Sequence, residues 1–196
     1  MAPADATLRF PQAAWIDPTA RVWGKVSIGL GASLWPYVVI RAESKHVEIG
    51  RFSNLQDHVM VHIGYVAPTV IGDYCSIAHR AVLHGCTIES NCLIGIGAIV
   101  MDGAVIGENS IVAGNALVRE GTIVPPNSIV MGTPAKVVRT ANNWVANRLN
   151  AWLYHRNAQH YARGEHRAWD GDDYEIARTA EQARLEAEFR ETFGAA

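Results

Sequence analysis

Aliphatic residues recur at every sixth position along most of the chain. From Ile88 they run through Ile94, Val100, Ile106, Val112, Val118, Val124 and Val130 without a break. Before this run stand Ile16, Val22, Ile28, Leu34 and Ile40, then Ile49, Leu55 and Val61, then Ile71, Ile77 and Leu83. Four places after most of them comes a small residue, such as Ala20, Ala32, Ser53, Cys75, Ala81, Cys92, Ala98 or Ala116. A period of six matches neither a helix nor a strand, so it is a repeat of tertiary structure. A hexad with one inward aliphatic and one inward small residue describes a short strand and a bend. Three hexads make a triangular turn, and stacked turns make a parallel β-helix with about 4.8 Å between layers. A lone turn cannot bury its apolar face, so stability is expected to accumulate from neighbour to neighbour.

The period slips three times. The step from Ile40 to Ile49 has three residues too many, that from Val61 to Ile71 four too many, and that from Leu83 to Ile88 one too few. The extra residues are expected to leave the coil as corner loops at Ser44–Val47 and Ile63–Val70, the second holding Gly64 and Pro68. After Pro134 the period stops. Residues 140–163 read as a helix with Val145, Leu149, Trp152 and Leu153 on one stripe. The polar stretch 164–173 breaks it, and 174–193 reads as a second, highly charged helix. The expected division is a β-helix domain over 1–138 and a helical appendage over 139–196, the first helix packing along the coil. For the second helix, docking on a neighbouring subunit and partial solvation both stay open.

Composition narrows the function classes. The 196 residues carry a net charge of −2 and no basic cluster, which disfavours nucleic acid. No apolar run approaches the length of a membrane span, and residues 1–11 lack the pattern of a signal peptide. The three cysteines show no disulfide spacing. Cys75 and Cys92 fall on inward positions as small core residues, and the expected compartment is the cytoplasm.

Stacking turns the spacing into coordinates. Arg41 to His62 is 21 residues, one turn of 18 plus the three-residue insertion; His62 to His84 is 22, one turn plus the four-residue insertion. Arg41, His62 and His84 therefore form one outward column, each a place after an inward aliphatic. Asp57 and His79 form a second column on another side of the triangle. His79 cannot join His62 and His84 within one prism. If identical prisms associate about a three-fold axis, the first column of one subunit faces the second column of the next. His62 and His84 of one chain with His79 of its neighbour would then make a three-imidazole site, with Arg41 near Asp57 across the joint. Three neutral imidazoles and an open fourth position are the ligand set of a catalytic zinc. A lone outward histidine is ordinarily a surface residue, but three of the chain's eight fall in adjacent layers of facing columns.

The motifs Arg41-Ala42-Glu43, Asn54-Leu55-Gln56-Asp57, His62, Ile77-Ala78-His79 and His84-Gly85-Cys86 resemble the signature of the γ-class carbonic anhydrases. The likeness continues through Leu93–Ala98 and Met131–Lys136 and covers roughly residues 10–139. More weakly, it reaches Asn157–Tyr161. The resemblance implies an all-β, left-handed parallel β-helix with C-terminal α-helices, assembled as a homotrimer. It implies that His62, His79 and His84 bind the metal, that Arg41 and Asp57 form an intersubunit ion pair, and that Gln56 hydrogen-bonds the metal-bound water. The expected ion is Zn2+, with Fe2+ or Co2+ as alternatives that imidazole also suits. The implied activity is reversible hydration of CO2 to bicarbonate by metal-bound hydroxide. Spacing adds Asp57 as an acceptor for the outer nitrogen of His79. Glu43, His160 and Tyr161 are the groups available to move protons, because the insertion at 63–70 carries no carboxylate. The family's Arg-Gly-Asp is Arg-Ala-Glu here, which keeps the carboxylate and lengthens its reach. Two other readings stand beside this one: a hexapeptide-repeat acyltransferase with one histidine as general base, and a non-catalytic trimeric scaffold stapled by a metal.

Overall fold

A computed structural model describes residues 9–194; the first eight residues of the expected β-helix domain and the last two of the appendage lie outside them. The chain winds into a parallel β-solenoid of about 6 turns followed by two helices. Each turn contributes short strands that pair with the turns above and below. One face stacks residues 15–16, 33–34, 54–55, 76–77, 93–94, 111–112 and 128–132 in that order. The inward aliphatics fill the interior: Leu34, Leu55, Ile77, Ile94 and Val112 are fully buried, as are Ile40, Val61, Leu83 and Val100 on another face.

The bends need a left-handed residue. Tyr37, His58, Arg80 and Asn115 take φ of 56–62° at one corner, and Phe52, Tyr74, Asn91, Asn109 and Asn127 take similar values at another. Asparagine tolerates this conformation better than most side chains, and here it does more. Asn91 donates to the side chain of Asn109 at 2.9 Å, and Asn109 to that of Asn127 at 3.2 Å. A ladder of amides thus runs up one edge of the coil.

Two irregularities differ from expectation. The insertion after Ile40 is no corner loop, because Val39–Ile49 is one continuous strand. Its partner strand, Arg21–Ile28, pairs up to Gly24↔Ala42 and resumes at Lys25↔His46, so residues 43–45 bulge outward while backbone pairing carries on around them. The insertion after Val61 does leave the coil, but the strand resumes at Thr69. The repeat also does not simply end at Pro134. Ala135–Thr140 folds back antiparallel on Ser128–Gly132 and covers the end of the stack. A single antiparallel strand has no hexad signature, which is why periodicity misses it.

The first helix, Trp144–Tyr161, lies on the face of strands 15–16, 33–34, 54–55 and 76–77. Its buried positions are Trp144 at its start and then Asn147, Ala151, Asn157 and Ala158, a small and polar seam in place of the predicted stripe of Val145, Leu149, Trp152 and Leu153. The wall it meets presents buried polar groups, Ser33, Asn54 and Ser76, so amides suit it better than bulky aliphatics. Asn147 donates to the carbonyls of Asn91 at 2.8 Å and Ser110 at 3.3 Å, and Asn143 to that of Asn109 at 3.2 Å. The second helix, Asp172–Phe193, packs on the first, with Leu185 buried and Phe189 and Phe193 close to Trp144. Among the described residues no helix is long and apolar enough to cross a membrane.

Replacing Asn147 with alanine strands the buried Asn91 carbonyl at the helix–coil seam and takes one of two donors from the Ser110 carbonyl, which keeps the Leu93 N–H. The expected loss is about 1–3 kcal/mol of unfolding free energy in denaturant titration; an unchanged midpoint would show that the helix docks without it.

Candidate metal centre

Backbone pairing sets the first column. Trp23 pairs with Arg41, Arg41 with His62, and His62 with His84. Two imidazoles of successive turns therefore stack, with ring centroids 5.0 Å apart and planes tilted by 54°. Nδ1 of His62 lies 3.1 Å from Nε2 of His84. The outer nitrogens meet carboxylates. Nε2 of His62 lies 3.0 Å from Oε2 of Glu43, and Nδ1 of His84 lies 2.7 Å from Oδ2 of Asp102.

Glu43 is the first residue of the bulge, and its other oxygen accepts from the Arg41 guanidinium. A backbone hydrogen bond first, then His62 and Arg41, hold its carboxyl below the usual carboxylate range. Within one chain Arg41 thus pairs with Glu43 and Asp57 with His79, so no Arg41–Asp57 contact forms inside a single chain.

The second column also stands. Leu55 pairs with Ile77, which places Asp57 one layer below His79, and Nδ1 of His79 lies 3.0 Å from Oδ2 of Asp57. The pair is partly exposed, at 42% and 37% of the side chains. Gln56 beside it is buried, and its amide nitrogen donates to Asn54 at 3.1 Å, which in turn donates to Ser76 at 2.9 Å. Tyr161 packs edge-on against Trp15 and Trp35 and beside His166, with Trp35 one layer below Gln56. The phenol that senses Asp57 is instead Tyr154. It lies against the same Trp35, and its pKa is pushed up to about 12 by burial and then by that negative charge.

Among the described residues no three His, Cys, Asp or Glu side chains of a single chain converge as an ion would require. The chain brings together two of the three predicted histidines and sets the third on another face. The pair fits a metal in spacing, and each outer nitrogen stands on a carboxylate oxygen. Two ligands about 2.0–2.1 Å from a tetrahedral zinc stand roughly 3.3 Å apart, close to the spacing of the facing nitrogens. In the tautomers whose outer nitrogens donate to Glu43 and Asp102, the facing nitrogens would carry lone pairs.

Asp102 escapes the column arithmetic because it is two places past the inward Val100, beside Met101, which continues the column. The signal that could have found it is the 17-residue step to the next turn, which sets Asp102 over Gly85, the neighbour of His84. Thr69 is the other unforeseen part: its hydroxyl donates to the His62 carbonyl at 2.6 Å and accepts from the Gly85 N–H at 2.9 Å, closing the loop after His62.

Residues 85–120 match the family model for bacterial transferase hexapeptide (six repeats). The crystal structure of a hexapeptide transferase family protein from Anaplasma phagocytophilum superposes with a TM-score of 0.63 at 35% identity, covering 76% of this chain and 91% of that one. The chain belongs to the hexapeptide-repeat family. Gamma carbonic anhydrase 1, mitochondrial, of Arabidopsis thaliana is 44% identical to this chain over 95 residues, 45% of this chain and 34% of that protein. Carnitine operon protein CaiE of Escherichia coli O157:H7 is 37% identical over 131 residues, 66% of each chain. This hexapeptide-repeat chain spans about a third to a half of the length of the first carbonic anhydrase relatives it matches.

All three cysteines are free and buried. That of Cys86 is pushed up to about 12, first by burial and also by the charge of Asp102. A thiol reagent at neutral pH is expected to titrate none of the three in the folded protein and all of them in denaturant. Because the unfolded Cys86 thiol ionises near its ordinary 9.0, its contribution to stability is complete below that pH and falls as pH rises toward 12. Rapid labelling of Cys86 at neutral pH would contradict this burial.

Proposed function

We propose that this protein is a carbonic anhydrase-like enzyme that hydrates CO2 reversibly to bicarbonate at a metal site shared between subunits of a homotrimer. His62 and His84 of one chain and His79 of the next would hold the ion, with Zn2+ the first choice of this donor set and Fe2+ or Co2+ also suited to it. The observation that carries the reading is the pair of ring nitrogens 3.1 Å apart, each with its far nitrogen held by a carboxylate. The likeness to gamma carbonic anhydrases supports the same reading.

An ion bound there supplies a Lewis acid that brings the pKa of water down toward about 7. The rest falls to the chain's own groups. Asp57 holds the proton of His79 at Nδ1, which leaves the other nitrogen of that ring as the donor atom. Gln56 is fixed from behind by Asn54, so its carboxamide acts by position and not by charge. Glu43 is half exposed, and its carboxylate, already hydrogen-bonded to His62, is placed to pass a proton to solvent. Arg41 of one chain and Asp57 of the next would close the joint, a pair costly to break on one side only.

A transferase reading is favoured by one finding, the likeness to the hexapeptide transferase family structure. A single experiment separates the readings. Protein purified without chelator is assayed for metal content and for CO2 hydration on the same sample, with acetyl-coenzyme A binding followed by calorimetry. Roughly one ion per chain with turnover, both lost in His84→Ala, is the expected result. An ion without turnover would reassign the protein as a metal-stapled scaffold, and saturable acetyl-coenzyme A binding by metal-free protein would reassign it as a transferase.

A further inference from the structure

Asp102 lies one layer above His84, on a repeat position with no predicted role, yet its carboxylate is built into the site. Oδ2 takes the Nδ1 of His84 at 2.7 Å. Oδ1 occupies a hollow that two glycines leave open: a Cβ on Gly64 would stand 2.1 Å from it, and one on Gly85 2.4 Å. These glycines come from successive turns and face the same oxygen. Gly85 is doubly constrained, since the same Cβ would also stand 2.9 Å from the backbone of Gly64. The frame around the hollow is stapled by Thr69, which ties the His62 carbonyl to the Gly85 N–H.

A neutral imidazole carries one proton, and the hydrogen bond made by one nitrogen decides the state of the other. A carboxylate on Nδ1 draws the proton there and leaves Nε2 bare. In His84 the bare Nε2 is the atom that faces Nδ1 of His62. Glu43 does the same to His62 from the opposite end. Two lone pairs then face each other, which is unfavourable until a cation sits between them.

We propose that Asp102 is the positioning residue that fixes His84 as its Nδ1–H tautomer and aims a bare Nε2 at His62, and that Gly64 is a glycine because this carboxylate fills the space beside it, while at Gly85 the carboxylate and the Gly64 backbone together leave no room for a Cβ. The tautomer stands by itself; its consequence for metal affinity rests on the proposed metal site.

The test uses the full-length chain with histidine labelled in the ring nitrogens. Long-range proton–nitrogen correlation of the metal-free protein, at a pH where imidazoles are neutral, reads each tautomer directly. Wild type is expected to show His84 protonated at Nδ1. Asp102→Ala is expected to move the proton to Nε2, whereas Asp102→Asn, whose amide oxygen still accepts, retains the wild-type form. Zinc affinity, read by competition with a chromophoric chelator, should fall about 10–100-fold in Asp102→Ala and less in Asp102→Asn. Melting of the metal-free variants confirms that each is folded. A wild-type His84 with its proton on Nε2, or a folded Asp102→Ala with an unmoved tautomer and undiminished zinc affinity, would overturn the assignment. If wild type shows the Nδ1–H form but takes up no zinc, the role of Asp102 stands and the metal site itself is rejected.

Discussion

Parallel backbone pairing between successive turns forces each residue to stand one layer, about 4.8 Å, above a residue one turn earlier. Everything chemical in this protein is built on that constraint. His62 and His84 are 22 residues apart in sequence and share a column because Met60–His62 pairs with Val82–His84. The interior aliphatics make the pairing obligatory, since a slip by one residue would turn Val61 and Leu83 outward and the histidines in. The column is therefore held by the same apolar burial that holds the fold.

A perfect solenoid would nevertheless present only vertical neighbours. The lateral contacts come from the three places where the repeat breaks. The bulge after Ala42 supplies Glu43, which reaches the outer nitrogen of His62. The loop after His62 supplies Gly64 and closes on Thr69. The shortened step after Leu83 holds Gly85, beside which the carboxylate of Asp102 settles against His84. Each imidazole of the proposed site thus has a carboxylate of its own: Glu43 for His62, Asp57 for His79 and Asp102 for His84. Fixing ring orientation in this way lowers the reorganisation a metal would demand of its ligands.

The columns were legible in advance because their ingredients are counts. Asp57 beneath His79 followed from spacing, and the structure adds the 3.0 Å contact. The helix seam was less legible. Helical periodicity points to Val145, Leu149, Trp152 and Leu153, but the surface beneath is a wall of buried Ser33, Asn54 and Ser76 and the Asn91–Asn109 edge, which calls for Asn147 and Ala151 instead. The spacing of apolar residues along one helix carries no knowledge of what it docks on. The strand Ala135–Thr140 was hidden for a related reason, since its partner, and not its own pattern, makes it a strand.

What the amino-acid order determined by itself is the turn length, the inward positions and the grouping of histidines into two columns, because a hexad repeat maps position in the chain onto position in space. Only the tertiary structure decided which atoms meet. The path of the bulge, the hollow beside Gly64 and Gly85 and the reach of Asp102 depend on side-chain directions and on backbone departures from the repeat. Those are settled by packing against neighbouring turns, and no periodicity encodes them.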